Sequence, residues 1–331
     1  MAVTPQTLGA VLVGAMALYL LLVSSRVVVQ RFVNVAQGYG ISEAVIGLTV
    51  VAVGTSLPEI ASHVIASVGI VTGTLDPEVA SATVLGGSIG SSVTQQTLLV
   101  GLLLLGAGQV TLSRSFVRSS YLPMVLSAAL ALTLAADGVL TRLDGVILVG
   151  AFVVYVYYTY DRRERVAIPE GIEVENIDPR TDAAVGIAGL VVVLASAYVA
   201  LSALELLVES LDLGGSLVGI VTLGIGSALP ELSTVTESIR RKRPTLALGT
   251  LVGSNVVNLL LAVGLGGAIS GYRVPRAVVF WDLPFVLLAG LSAFVYVTRV
   301  TDGQLRRRDA SAFVVAYFGF LTGHLLLFPS G

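Results

Sequence analysis

Apolar residues run through this chain in stretches of near or above 20 residues, separated by short polar segments. Each stretch is of a length that crosses the hydrocarbon core of a bilayer as a helix. Ten can be read: Leu8–Ser24, Ile41–Val71, Val79–Ala107, Tyr121–Ala136, Leu143–Tyr160, Ala183–Leu204, Gly214–Ile239, Leu246–Ser270, Trp281–Thr298 and Ala310–Phe328. The second, third, seventh and eighth are long enough to be tilted or broken. A polar stretch with mixed charges, Pro169 and Pro179 lies between the fifth and the sixth. The pattern predicts an all-α polytopic membrane protein: a first half over 1–160, a linker over 161–182 and a second half over 183–331. No basic segment precedes the first apolar run, which therefore reads as a retained helix and not as a cleaved signal.

Composition agrees. Of the 331 residues 55% are hydrophobic and only 12% charged, against about 25% charged in an ordinary soluble domain. The formal net charge of −2 points to no nucleic-acid partner, and the absence of cysteine excludes disulfides and thiolate metal sites. Basic residues are distributed by side. All but three of the 19 Lys and Arg fall in the loops between spans 1–2, 3–4, 5–6, 7–8 and 9–10; the exceptions are Arg142, Arg273 and Arg276. The positive-inside rule makes the first set of loops cytoplasmic. Both termini are then extracellular. With five spans in each half, an odd number, the two halves are inverted relative to one another.

Polar groups inside the apolar runs carry the chemistry. Gly54-Thr55-Ser56-Leu57-Pro58-Glu59 recurs in the second half as Gly226-Ser227-Ala228-Leu229-Pro230-Glu231. Proline has no N–H, so Pro58 and Pro230 leave the carbonyls of Gly54 and Gly226 without their helical donor, about one turn before a glutamate. Hydroxyls stand beside them at Thr55, Ser56 and Ser227. Such a set of hard oxygen donors suits Na⁺ or Ca²⁺, and paired broken helices point to the midplane site of a transporter. A second pair of blocks follows: Gly86 to Gln95 aligns with Gly249 to Asn258. Gly86/Gly90 and Gly249/Gly253 give each helix a small face for close approach. Ser91/Gln95 and Ser254/Asn258 stack polar groups on one face. The backbone at Gly54 and Gly224 completes the candidate metal-binding set.

The four blocks resemble the two alpha-repeats of the cation/Ca²⁺ exchanger superfamily, most closely its sodium/calcium exchanger branch. The resemblance implies ten helices in two inverted five-helix repeats, a core built on the four blocks, and alternating access with Na⁺ or H⁺ exchanged for Ca²⁺. It implies Glu59 and Glu231 as the central carboxylate ligands, with Thr55, Ser56 and Ser227 supplying hydroxyls. Ser91, Ser254, Gln95 and Asn258 match the serine and amide-or-acid positions of the second block. This chain departs from the pattern at Ala228, where a hydroxyl is usual, and at Ser92, where Asn is usual. Gln95 is one methylene longer than the usual Asn, and Asn258 is neutral where many relatives carry Asp. The core therefore offers two carboxylates, enough for one Ca²⁺ or two Na⁺, and the neutral Asn258 argues against K⁺ cotransport. The expected function is Na⁺/Ca²⁺ antiport, with H⁺/Ca²⁺ or other divalent-cation antiport on the same two glutamates as the alternative. No cofactor is expected beyond the transported ions, and the expected partners are small cations and the lipid bilayer.

Other residues carry less. His63 lies one turn after Glu59 and reads either as a proton-linked group or as a polar side chain hydrogen-bonded between helices, the second being preferred. His324 reads as structural. Asp76 and Glu78, and Glu205, Glu209 and Asp212, stand in external loops, where solvation explains them as well as cation attraction does. Trp281 and Tyr272 fit interfacial belt positions. An intramembrane metalloprotease would need H-E-x-x-H or a similar histidine pair, and His63 and His324 form none.

Overall fold

The computed structural model describes residues 5–38, 52–161, 178–211, 214–240, 242 and 244–328. The start of the second expected span (41–51), the body of the linker (162–177), Asp212 and Arg241 and Arg243 lie outside the described residues. The described residues are almost entirely helical. In order come α1 (Pro5–Gly38), α2 (52–72), α3 (Pro77–Ala107), α4 (Val117–Ala135), α5 (Arg142–Asp161), α6 (Pro179–Leu211), α7 (Gly215–Arg240), α8 (244–270), α9 (Val278–Val300) and α10 (Ala310–Leu327). Among the described residues nine helices are long and apolar enough to cross a membrane; α2, described only from residue 52, adds the shorter apolar helix Leu57–Thr72.

Two helices form the centre. The apolar windows of α3 and α8 are 78% and 72% buried, against 17% for α5 and 22% for α10. These are the helices that carry the Gly86 to Gln95 and Gly249 to Asn258 blocks. α3 starts sharply because Pro77 occupies its first turn and Asp76 caps it, accepting from the N–H groups of Glu78 and Val79, both at 2.9 Å. Glycine then brings α7 against α3. A Cβ on Gly86 would overlap the carbonyl oxygen of Ser216, and one on Gly219 would overlap that of Thr83. Gly90 meets the Ile220 backbone, and Gly224 meets the backbone of Gly90 and Ser91. The expected close approach thus occurs at Gly86 and Gly90. At Gly253 no described atom would lie within 4 Å of an added Cβ. The segment of the first half that corresponds to 216–220 falls within 41–51.

α1 lies lengthwise along α6 and reaches the rest of the molecule mainly through α2. One end of the pair is closed by Asp182, buried to 2% exposure, which receives Arg31 at 2.7 Å and Asn34 at 3.3 Å. Residues 179–182 are therefore the first turn of α6. Toward the other end Glu205, a residue of α6 and not of a loop, accepts the Asp76 N–H at 2.7 Å.

Two small antiparallel ribbons join the helix ends. β1 (Gln109–Thr111) pairs with β4 (Gln304–Arg306), Val110 opposite Leu305. β2 (Val139–Leu140) pairs with β3 (Tyr272–Arg273), Leu140 opposite Tyr272. The first joins the loop after α3 to the loop after α9. The second joins the loop after α4 to the loop after α8. Exchanging the two halves of the chain turns one ribbon into the other.

Candidate ion-binding site

The helix breaks fall where the prolines put them. α2 leaves helical hydrogen bonding at Ser56 (φ −95°, ψ 15°) and resumes at Leu57; α7 breaks at Ala228 (φ −78°, ψ −4°) and resumes at Leu229. Each break lies two residues before its proline. Glu59 and Glu231 consequently sit in the first turn of a new helix, at the positive end of its dipole. Both are buried, at 4% and 1% exposure.

α3 and α8 supply the opposite wall. Each shifts from α to π geometry at the block's last polar residue, over Gln95–Leu99 in α3 and Val257–Ala262 in α8. Such bulges are frequent at functional sites. The two halves repeat one hydrogen bond: Ser91 Oγ donates to Glu59 Oε1 at 3.0 Å, and Ser254 Oγ donates to Glu231 Oε1 at 3.2 Å. Ser227 and Asn258 also face the Glu59 carboxylate, and Glu231 lies near it. Five buried oxygens of this group have no hydrogen-bond partner among the described residues: Glu59 Oε2, Glu231 Oε2, Ser56 Oγ, Ser227 Oγ and Asn258 Oδ1. Buried polar atoms are rarely left so. Oxygen donors alone, two of them carboxylate, fit a hard cation such as Na⁺ or Ca²⁺. No cluster of three or more His, Asp or Glu able to hold a metal occurs among the described residues. A small cavity bordered by Leu18, Leu21, Glu59, His63, Gly226 and Ser227 opens beside the site.

The other candidates are placed differently. Gln95 is fully buried, but its Oε1 accepts from Asn255 Nδ2 at 2.9 Å while its Nε2 donates to Ser91 Oγ at 3.1 Å. Gly54 and Gly224 each have a packing reason: a side chain at Gly54 would meet Val29 of α1, and one at Gly224 would meet α3. The side chain of Thr55 lies outside the described residues. His63 bridges helices, with Nδ1 2.9 Å from Tyr272 Oη and Nε2 2.8 Å from Ser88 Oγ, the arrangement of the packing reading. Tyr272 is correspondingly buried at 3% exposure. Its hydroxyl also meets Ser67 Oγ at 2.9 Å, so it is no belt residue: a buried imidazole needs that partner.

Two buried polar residues, Asp282 and Gln96, carry no expectation from the sequence, and Asn255, which keeps the Asn that Ser92 lacks, carries none of its partner. Asp282 is buried in α9, 2.7 Å from His324 Nδ1 and 3.0 Å from Ser216 Oγ. It is the one acid between Val278 and Val300, which was the available signal. Gln96 and Asn255 join α3 to α8 through a 2.9 Å bond from Gln96 Nε2 to Asn255 Oδ1; both amides were visible in the sequence, but their pairing was not.

The model of the sodium/calcium exchanger protein family matches residues 9–160 and 182–326, one segment in each half. The chain belongs to the sodium/calcium exchanger family. Its relatives within reach of sequence include the putative antiporter CaxA of Alkalimonas amylolytica, 28% identical over 90% of this chain and 92% of that protein. They also include the sodium/calcium exchanger MaX1 of Methanosarcina acetivorans, 25% identical over 87% of this chain and 90% of that one. Among solved structures the sodium-calcium exchanger NCX_Mj, soaked with Na⁺ and Sr²⁺, superposes with a TM-score of 0.62 at 22% identity, covering 96% of this chain and 99% of its own. The fold is thus the exchanger fold, ten membrane helices in two repeats, and the protein is a multi-pass membrane cation antiporter of this family.

Proposed function

We propose that this exchanger couples Na⁺ entry to Ca²⁺ movement by alternating access, with the ions held between the two halves by Glu59, Glu231, Ser56, Ser227 and Asn258. The observation that carries this reading is the set of five buried oxygens left without partners. Two carboxylates match the charge of one Ca²⁺ or two Na⁺, and MaX1, named a sodium/calcium exchanger, is similar over most of its length. His63, held between helices by Tyr272 and Ser88, fits a packing role, and the likeness to MaX1 is what favours Na⁺ over H⁺ as the coupling ion. The test is Ca²⁺ flux in proteoliposomes under an imposed Na⁺ gradient or an imposed pH gradient. The Na⁺ gradient alone is expected to drive uptake. Uptake driven only by the pH gradient transfers the same site to H⁺ coupling, and no Ca²⁺ flux under either gradient removes the reading.

The same proposal includes orientation: inverted halves, a cytoplasmic linker between α5 and α6, and extracellular termini. Two features support it, the sidedness of Lys and Arg and the ribbons. β1 and β4 belong to loops that the charge rule puts inside, β2 and β3 to loops that it puts outside, and each ribbon needs its two loops on one face. The chain has no native cysteine, so single cysteines can be read without background. Thr4→Cys should react with an impermeant maleimide in intact cells and Asn176→Cys only after permeabilisation. Reaction of both from the same side would end the inverted ten-span arrangement.

A further inference from the structure

Gln95 stands where the resemblance implies an ion ligand, and the direction of its amide follows from one backbone atom. Asn255 Nδ2 lies 2.8 Å from the carbonyl oxygen of Leu251, which can only accept. That assigns the Asn255 nitrogen. The same nitrogen donates to Gln95 Oε1 at 2.9 Å, and Asn255 Oδ1 accepts from Gln96 Nε2 at 2.9 Å. Gln95 is left with Nε2 toward Ser91 Oγ at 3.1 Å, where Asn258 Nδ2 also arrives at 3.4 Å. A hydroxyl that accepts from two amides has a single proton to give, and Glu59 Oε1 receives it at 3.0 Å. Reversing either Asn255 or Gln95 alone would set donor against donor or acceptor against acceptor.

We propose that Gln96, Asn255, Gln95 and Ser91 form a one-way hydrogen-bond relay that commits Glu59 Oε1 to the protein and leaves Oε2 for the cation. Gln95 is then a positioning residue and not an ion ligand. Every donor in the relay points toward the carboxylate, and hydrogen bonds in such a chain polarise one another. The relay accounts for one departure of the first repeat from the family pattern, since the added methylene of Gln95 carries its amide to Asn255; Ser92, the repeat partner of Asn255, makes no reciprocal bond among the described residues. The inference rests on Glu59 being a cation ligand.

The test is a double-mutant cycle on Ca²⁺ KM and kcat in Na⁺-loaded proteoliposomes, with Gln95→Leu, Asn255→Ser and the double variant. A hydrogen bond to a charged group is worth enough that each single variant should raise the Ca²⁺ KM about tenfold, with kcat within about twofold of wild type. The double variant should be no worse than the worse single one, because both cut one chain. A raised KM in Gln95→Leu with none in Asn255→Ser, multiplied effects in the double variant, or no KM change in either would each overturn the relay. If Asn255→Ser does not yield monodisperse protein, Gln96→Leu cuts the chain at its far end. A KM rise of about threefold is expected there, and an unchanged KM counts against the relay. Glu59→Gln is run beside them. Exchange surviving in that variant brings down the site itself, whereas its loss with silent relay variants brings down the relay alone.

Discussion

Glu59→Gln and Glu231→Gln should each abolish Ca²⁺ exchange while the protein still folds and inserts. The two substitutions keep size, and the amide oxygen can still accept the proton of Ser91 or Ser254, which lie 3.0 and 3.2 Å from the carboxylates. What is lost is charge. A divalent cation taken from water into a site 4% and 1% exposed at its two acids meets a large desolvation cost, offset only by the negative charge around it. Removing one partner of a buried charge pair typically costs roughly 3–5 kcal/mol, or about 10²–10⁴ in affinity. No third acid is at hand among the described residues to take its place. Monodisperse variants without Na⁺-driven Ca²⁺ uptake are the expected result. Near-normal uptake in both would show that the glutamates are packing groups and that the ions bind elsewhere.

Most of the architecture was legible because the signals were local. A proline and a glutamate inside an apolar run are costly unless used, so Pro58–Glu59 and Pro230–Glu231 identified the helix breaks to within two residues. The arginines sorted the loops, and the ribbons pair loops of one class only. What stayed hidden depends on atoms far away in sequence. The amide of Gln95 is oriented by the carbonyl of Leu251 in another helix, through Asn255, and no spacing rule could reveal that. Asp282 stands out as the one acid of its span, but its partners His324 and Ser216 come from two other helices. Tyr272 was misplaced for the same reason: its type suits an interface, but His63 and Ser67 draw its hydroxyl inward. The glycine faces were half legible, since spacing shows that a helix can be approached closely but not which helix approaches.

The glycines of α3 and α7 give a test in which one substitution has opposite signs at different positions. Gly→Ala inside a helix is ordinarily stabilising by about 1 kcal/mol, because glycine loses more backbone entropy on folding. Gly150 of α5 is exposed and an added Cβ there meets nothing within 4 Å, so Gly150→Ala should raise the thermal midpoint in detergent. At Gly86 and Gly219 the same methyl would overlap backbone carbonyl oxygens, of Ser216 and Thr83. Backbone held in two packed helices cannot swing aside as a side-chain tip does, so α3 and α7 must separate. Forced overpacking typically costs about 1–3 kcal/mol, which outweighs the helix-propensity gain, so Gly86→Ala and Gly219→Ala should lower the midpoint. Gly219→Val adds two further carbons at the tightest point of the contact and should leave no monodisperse protein. The effect reaches the site because Ser91 and Ser227 ride on these same two helices. Any Gly219→Ala protein that survives should therefore bind Ca²⁺ more weakly than wild type. A midpoint for Gly86→Ala and Gly219→Ala at or above that of wild type would mean that the α3–α7 spacing is not set by glycine.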